Sequence, residues 1–116
     1  MPDDVLHISD QPGSDVGQRV LTLSGPLTLR NVFDFQAMVR ADQSRALIID
    51  FAGVPYVDSA GIGALVGAYV TRQNSGRKLA LTAVSKRVHD ALKVTRVEQF
   101  FKFYDSAGEA QQALVA

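Results

Sequence analysis

Residues 46–51 read ALIIDF, a nearly continuous apolar run broken only by Asp50 near its end. A strand with one wet face alternates apolar and polar residues, so such a run demands cover on both faces, as parallel strands in α/β sheets have. The surrounding chain is spaced to supply it. After this run Ile62, Leu65, Val66, Tyr69 and Val70 fall at helical intervals, a stripe wide enough to face a core, and the helix is expected to reach about Asn74. Ser75-Gly76 ends it.

The same strand-then-helix rhythm continues. KLALTA (78–83) is the next strand, and Ser85 opens a helix expected to carry Val88, Ala91, Leu92 and Thr95 inward. Phe100 to Tyr104 is a short aromatic strand, and Ser106 and Glu109 have capping-box spacing before a last helix with Ala110, Ala113 and Leu114 apolar. Upstream, Val5–Ser9 and Arg19–Ser24 read as a hairpin around the turn formers of QPGSDVGQ. Arg30–Ala41 is an amphipathic helix with Val32, Phe35, Met38 and Val39 on one side. The order ββαβαβαβα predicts an α/β fold with a mixed, mostly parallel sheet of about five strands and four helices. Ligands and partners of such sheets gather at the carboxyl ends of the strands.

The chain of 116 residues is the size of one domain, taken as 1–116. It has no cysteine, which removes disulfides and thiolate metal sites and fits a reducing compartment. Met1-Pro2-Asp3-Asp4 has neither the basic start nor the apolar stretch of a signal peptide, and no apolar run is long enough to insert in a membrane, so the cytoplasm is expected. Net charge is zero but uneven: residues 1–58 hold 8 acids and 4 bases, and residues 59–116 hold 4 acids and 8 bases. Those bases are scattered over several elements, which reads as a solvated surface and not as a nucleic-acid site.

The stretch with the most chemistry is VDSAGIGALVGAY, residues 57–69, where an acid, a hydroxyl and three glycines precede an apolar run. Its glycines have G-x-G-x-x-x-G spacing and begin ten residues after Phe51, unlike the tight turn of a dinucleotide loop. No Gly-Lys-Ser/Thr is present, and Val57 stands where a nucleophile elbow needs glycine. His7 and His89 have no triad context, and Asp50 and Asp58 have no His cluster beside them. An enzyme is therefore not the expected reading, and no cofactor or metal is implied. A bland account has Asp58 or Ser59 capping the helix while Gly63 and Gly67 let it pack tightly. It leaves Gly61 unexplained, since glycine in a first helical turn costs up to about 1 kcal/mol relative to alanine. Something is expected to approach that bare backbone closely. A serine at a helix amino terminus is also a favourable place for phosphate, because free N–H groups and the helix dipole stabilise the anion.

Leu47-Ile-Ile-Asp50-Phe, followed by Val57-Asp58-Ser59-Ala60-Gly61-Ile62-Gly63, resembles the STAS family, named for sulfate transporters and anti-sigma factor antagonists, and in particular its stand-alone bacterial antagonists. Leu21-Thr-Leu-Ser-Gly25 and Val88-His-Asp-Ala-Leu92 extend the resemblance over nearly the whole chain. The resemblance implies that Ser59 is phosphorylated by a partner that is both a serine kinase and an anti-sigma factor. The unmodified protein would bind that partner and free the sigma factor, phosphorylation would release it, and a PP2C-type phosphatase would reset the cycle. The partner would bind ATP. Asp58, Ser59, Ala60, Gly61, Ile62, Gly63 and Thr28 are the partner-binding residues so implied. Two positions depart from the pattern: Gly25-Pro26-Leu27-Thr28 stands where many antagonists have G-E-L-D, and Ala60 where a second serine is common. Thr28 is expected to be a helix cap and not a second acceptor. The alternative within the family is an accessory subunit docking on the ATPase of a lipid-transport ABC system.

Overall fold

The computed structural model describes residues 5–116; the residues 1–4 weighed above as a signal-peptide start lie outside them. The elements run β1 (His7–Pro12), β2 (Gln18–Ser24), α1 (Val32–Ala41), β3 (Ala46–Gly53), α2 (Ser59–Asn74), β4 (Lys78–Thr82), α3 (Lys86–Val94), β5 (Lys102–Tyr104) and α4 (Ala107–Ala113). A short 3-10 turn, Glu98–Phe100, precedes β5. The strands form one sheet in the order β1-β2-β3-β4-β5. Only the β1–β2 pair is antiparallel. The α/β order expected from the sequence is the order observed.

The run in β3 divides by the pleat. Leu47, Ile49 and Phe51 enter the main core with Leu21 and Leu23 of β2, Val32, Phe35 and Val39 of α1, Ala64, Leu65 and Ala68 of α2, and Val88 and Leu92 of α3. Ile48 faces the other way, into a small cluster with Ala80 and Ala110 that α4 covers. Each large side chain fully buried this way contributes roughly 1.5–3 kcal/mol. Three helices thus cover one face of the sheet and one short helix the other.

The strip of α2 that meets the core differs from the expected one. Gly61, Ala64, Leu65, Ala68 and Arg72 are its buried residues, while Val70 is 46% exposed. Small residues let the helix lie close to the sheet, and the larger Ile62, Val66 and Tyr69 pack at the margin. Gly63 and Gly67 do not serve that packing: a Cβ on either would meet nothing within 4 Å. Thr95 is exposed and ends α3, its hydroxyl donating to the Ala91 carbonyl at 2.8 Å, and Ala113 is exposed as well.

Boundaries moved for local reasons. β1 begins at His7, not Val5, and continues through Gln11 and Pro12, which the sequence suggested as turn. It is an edge strand, where a missing N–H is tolerated, and Asp10 holds Arg19 across the hairpin at 2.9 Å. α1 starts two residues later than expected, at Val32. β4 stops at Thr82 because Ala83 takes a left-handed φ of 53°. β5 loses Phe100 to the 3-10 turn.

Arg72 fastens the end of the fold opposite the start of α2. It is 1% exposed, pairs with Asp42 at 3.1 Å, and donates to the carbonyls of Ser44 at 2.8 Å and Lys78 at 2.9 Å. One guanidinium thereby joins α2, the α1–β3 loop and the start of β4. Burial lowers its pKa, and the Asp42 carboxylate opposes that shift. Arg72→Ala would strand Asp42, whose side chain is 6% exposed, and should cost about 3–5 kcal/mol in urea unfolding. A loss below about 1 kcal/mol would contradict this role.

Candidate functional site

Beyond the carboxyl ends of β2 and β3, the loops leading into α1 and α2 are stitched together. Leu27 and Val57 form a parallel bridge; the Leu27 N–H donates to the Tyr56 carbonyl at 3.2 Å, and the Asp58 N–H to the Leu27 carbonyl at 3.2 Å. The ladder between the two strands therefore resumes past their ends and delivers Asp58 to the N-cap of α2.

Asp58 has an extended backbone, φ −102° and ψ −173°, as an N-cap requires. One carboxylate oxygen accepts from the Gly61 N–H at 2.9 Å, and the other from the Leu29 N–H at 3.1 Å. A single side chain caps α2 and holds the loop before α1. Capping of this kind contributes about 0.5–2 kcal/mol.

Gly61 is explained by the same junction. A Cβ there would sit 2.2 Å from the Leu27 carbonyl oxygen, so the close approach expected from the sequence is made by this chain's own backbone. Gly61 is buried, and it acts by letting the two loops meet.

Ser59 is the first residue of α2 and is exposed. No hydrogen bond among the described residues engages its hydroxyl. The first intrahelical bond runs from the Ile62 N–H to the Asp58 carbonyl at 2.9 Å, which leaves the Ser59 and Ala60 amides without intrahelical partners beside that hydroxyl. Ala60 and Ile62 are half-buried, and Gly63 is exposed. The result is a neutral, accessible alcohol on a rigid step, at a position whose dipole favours an anion.

Thr28 is half-buried, and its carbonyl accepts from the Asn31 N–H at 3.0 Å and the Val32 N–H at 2.9 Å. It is not the cap expected from the sequence: the N-cap of α1 is Asn31, and Thr28 closes the turn before it through its carbonyl. The side-chain work falls to Asn31, which accepts from the Thr28 N–H at 2.9 Å and donates to the Pro26 carbonyl at 2.8 Å. Asn31 and the Leu29 amide are the parts of the junction that sequence reasoning missed; an Asn three residues after Thr28 was the available signal. Arg87 lies over the Tyr56 ring at 5.0 Å and packs against the same loop. His89 is 3.4 Å from Glu98, and His7 is exposed at the start of β1, so neither histidine attends Ser59.

A family model for the STAS domain matches residues 10–110, and the chain belongs to that family. An anti-sigma factor antagonist from Mycobacterium paratuberculosis superposes with a TM-score of 0.83 at 19% identity, over 96% of this chain and 95% of that one. The phosphorylated form of the Bacillus cell fate determinant SpoIIAA gives 0.73 at 15% identity, over 93% and 99%. The murine Solute Carrier 26 family member A9 anion transporter gives 0.72 at 21% identity; this chain spans 93% of itself but 22% of that protein. At these identities the likeness carries the fold. No helix among the described residues is long and apolar enough to cross a membrane.

Gly61→Ala should destabilise the protein by about 1–3 kcal/mol, because carbonyl and methyl cannot share the space. Gly63→Ala, on open helix surface, should stabilise it by up to about 1 kcal/mol. Chemical denaturation of the two variants checks the contrast, and equal effects would contradict the junction described here.

Proposed function

We propose that this protein is an anti-sigma factor antagonist whose affinity for its partner is set by phosphorylation of Ser59. The observation that carries the reading is the pairing of an Asp58 that holds the junction together with a Ser59 whose hydroxyl is unengaged. Each carboxylate oxygen of Asp58 accepts from an N–H of its own chain, while the neighbouring hydroxyl is open to a foreign active site. This chain supplies an acceptor and a docking surface, and the partner supplies ATP and catalysis.

In the proposed cycle the unmodified protein binds an anti-sigma factor that is also a serine kinase, and the sigma factor is released. The kinase then transfers the γ-phosphoryl group of ATP to the Ser59 oxygen; the hydroxyl proton leaves to a base on the kinase, and ADP is the second product. Hydrolysis by a PP2C-type phosphatase returns the alcohol and inorganic phosphate. Thr28, Asp58, Ala60, Ile62 and Gly63 flank the acceptor in the proposed interface, with buried Gly61 shaping it from beneath. The cycle would run in the cytoplasm without direct contact to nucleic acid.

The electrostatics support a switch of useful size. A phosphate adds about −1.5 to −2 charges beside Asp58. Burying that charge without a cationic partner costs roughly 3–5 kcal/mol, on the order of a hundred- to a thousand-fold in affinity. The helix dipole returns about 0.3–2 kcal/mol, but it does so in the free protein too, so docking gains nothing from it.

The acid-free loop Gly25-Pro26-Leu27-Thr28 favours the second reading, docking on the ATPase of a lipid-transport ABC system without modification. Incubation with the organism's anti-sigma serine kinases and Mg-ATP separates the two. One phosphate should be added, as read by intact mass; Ser59→Ala should abolish it and keep binding, and Ser59→Asp should weaken binding at least ten-fold. No modification by any of those kinases, together with tight binding to an ABC ATPase, would establish the rival.

A further inference from the structure

Two of the large apolar side chains most exposed among the described residues lie in the segment that Asp58 holds, the turn before α1 and the first turn of that helix. Leu29 is 62% exposed and Phe33 67%. Leu29 lies in the turn before α1 and Phe33 in the first turn of that helix, four residues further on; the Val32 N–H donates to the Thr28 carbonyl at 2.9 Å where turn and helix meet. Val16 and Val115, exposed at 85% and 57%, flank the hydrogen bond from the Ala116 N–H to Asp15, before the start of β2 and so away from Ser59.

The place of the pair says what covers it. Leu29 donates its N–H to Asp58, the residue next to Ser59, at 3.1 Å. A stable protein interface takes about 800 Å² from each partner, equivalent to a disc of about 16 Å radius. Leu29, whose N–H is held by the residue next to Ser59, lies inside a disc centred on Ser59, and Phe33 is four residues further along the chain. A kinase that closes on the Ser59 hydroxyl cannot avoid them.

We infer that Leu29 and Phe33 are the affinity anchors of the kinase complex, seated in an apolar recess of the kinase, while Ser59 is its switch. This inference rests on the function proposed above. Each Asp58 oxygen already accepts one N–H of its own chain, and apolar burial at these two side chains adds attraction near the acceptor that the acid alone does not supply. The exposed backbone at Gly63, where a Cβ would meet nothing within 4 Å, gives the approaching surface a low floor on α2.

The test uses the whole chain and each purified anti-sigma serine kinase encoded by the same genome, with affinity, steady-state phosphorylation and melting temperature as readouts. Phe33→Ser and Leu29→Ser should each weaken binding about ten-fold or more and raise KM for phosphorylation, with kcat and melting temperature unchanged. Gly63→Gln should raise the melting temperature yet weaken binding. If both serine variants bind like wild type while Ser59→Asp does not, the anchors are elsewhere and the inference falls with the switch intact. If no kinase binds the wild type or modifies Ser59, the function itself fails. Sedimentation showing that the wild type dimerises through this patch, and that Phe33→Ser is monomeric, would also overturn it by making a second copy the occupant.

Discussion

Two hydrogen bonds to one carboxylate organise the end of this protein that carries the candidate site. Asp58 takes the Gly61 N–H with one oxygen and the Leu29 N–H with the other, so that the amino end of α2 and the loop before α1 become a single rigid step. Satisfying orphan helix donors is the ordinary work of an N-cap. Here the second oxygen extends it to a neighbouring loop, and the bare backbone of Gly61 lets the Leu27 carbonyl come close enough for the parallel ladder to continue. Ser59 is placed by this junction without taking part in it. A group that contributes no hydrogen bond to the fold can be esterified without dismantling the fold.

The opposite end of α2 is fastened by different chemistry. Arg72 is buried among carbonyls and one carboxylate and ties the helix to the starts of β3 and β4. The helix is therefore fixed at both ends, with small residues laid on the sheet between them. Its outward side, with Gly63 and Gly67 exposed, carries no internal packing role that the structure reveals.

The element order was legible because ALIIDF can be buried on both faces only in a sheet with helical cover, and because caps such as Ser85 and Ser106 mark helix starts by chemistry that acts locally; each accepts from the N–H three residues on. The capping of α2 by Asp58 was legible for the same reason. What the sequence hid was tertiary. Periodicity favours large apolar residues as the core stripe, so it pointed to Val70 and passed over Ala64, Ala68 and Arg72, whose burial depends on how closely α2 meets the sheet. The glycines of α2 look alike in sequence, but Gly61 faces a carbonyl from a loop about thirty residues upstream and Gly63 faces open space. The continuation of β1 through Pro12 follows from its place at the sheet edge, which local propensity does not contain.

The most direct measurement compares the partner's dissociation constant for unmodified protein with that for protein quantitatively phosphorylated at Ser59, by calorimetry at fixed ionic strength. The account predicts weakening on the order of a hundred-fold or more, with the far-ultraviolet circular dichroism of the free protein unchanged. Equal affinity of the two forms would contradict it.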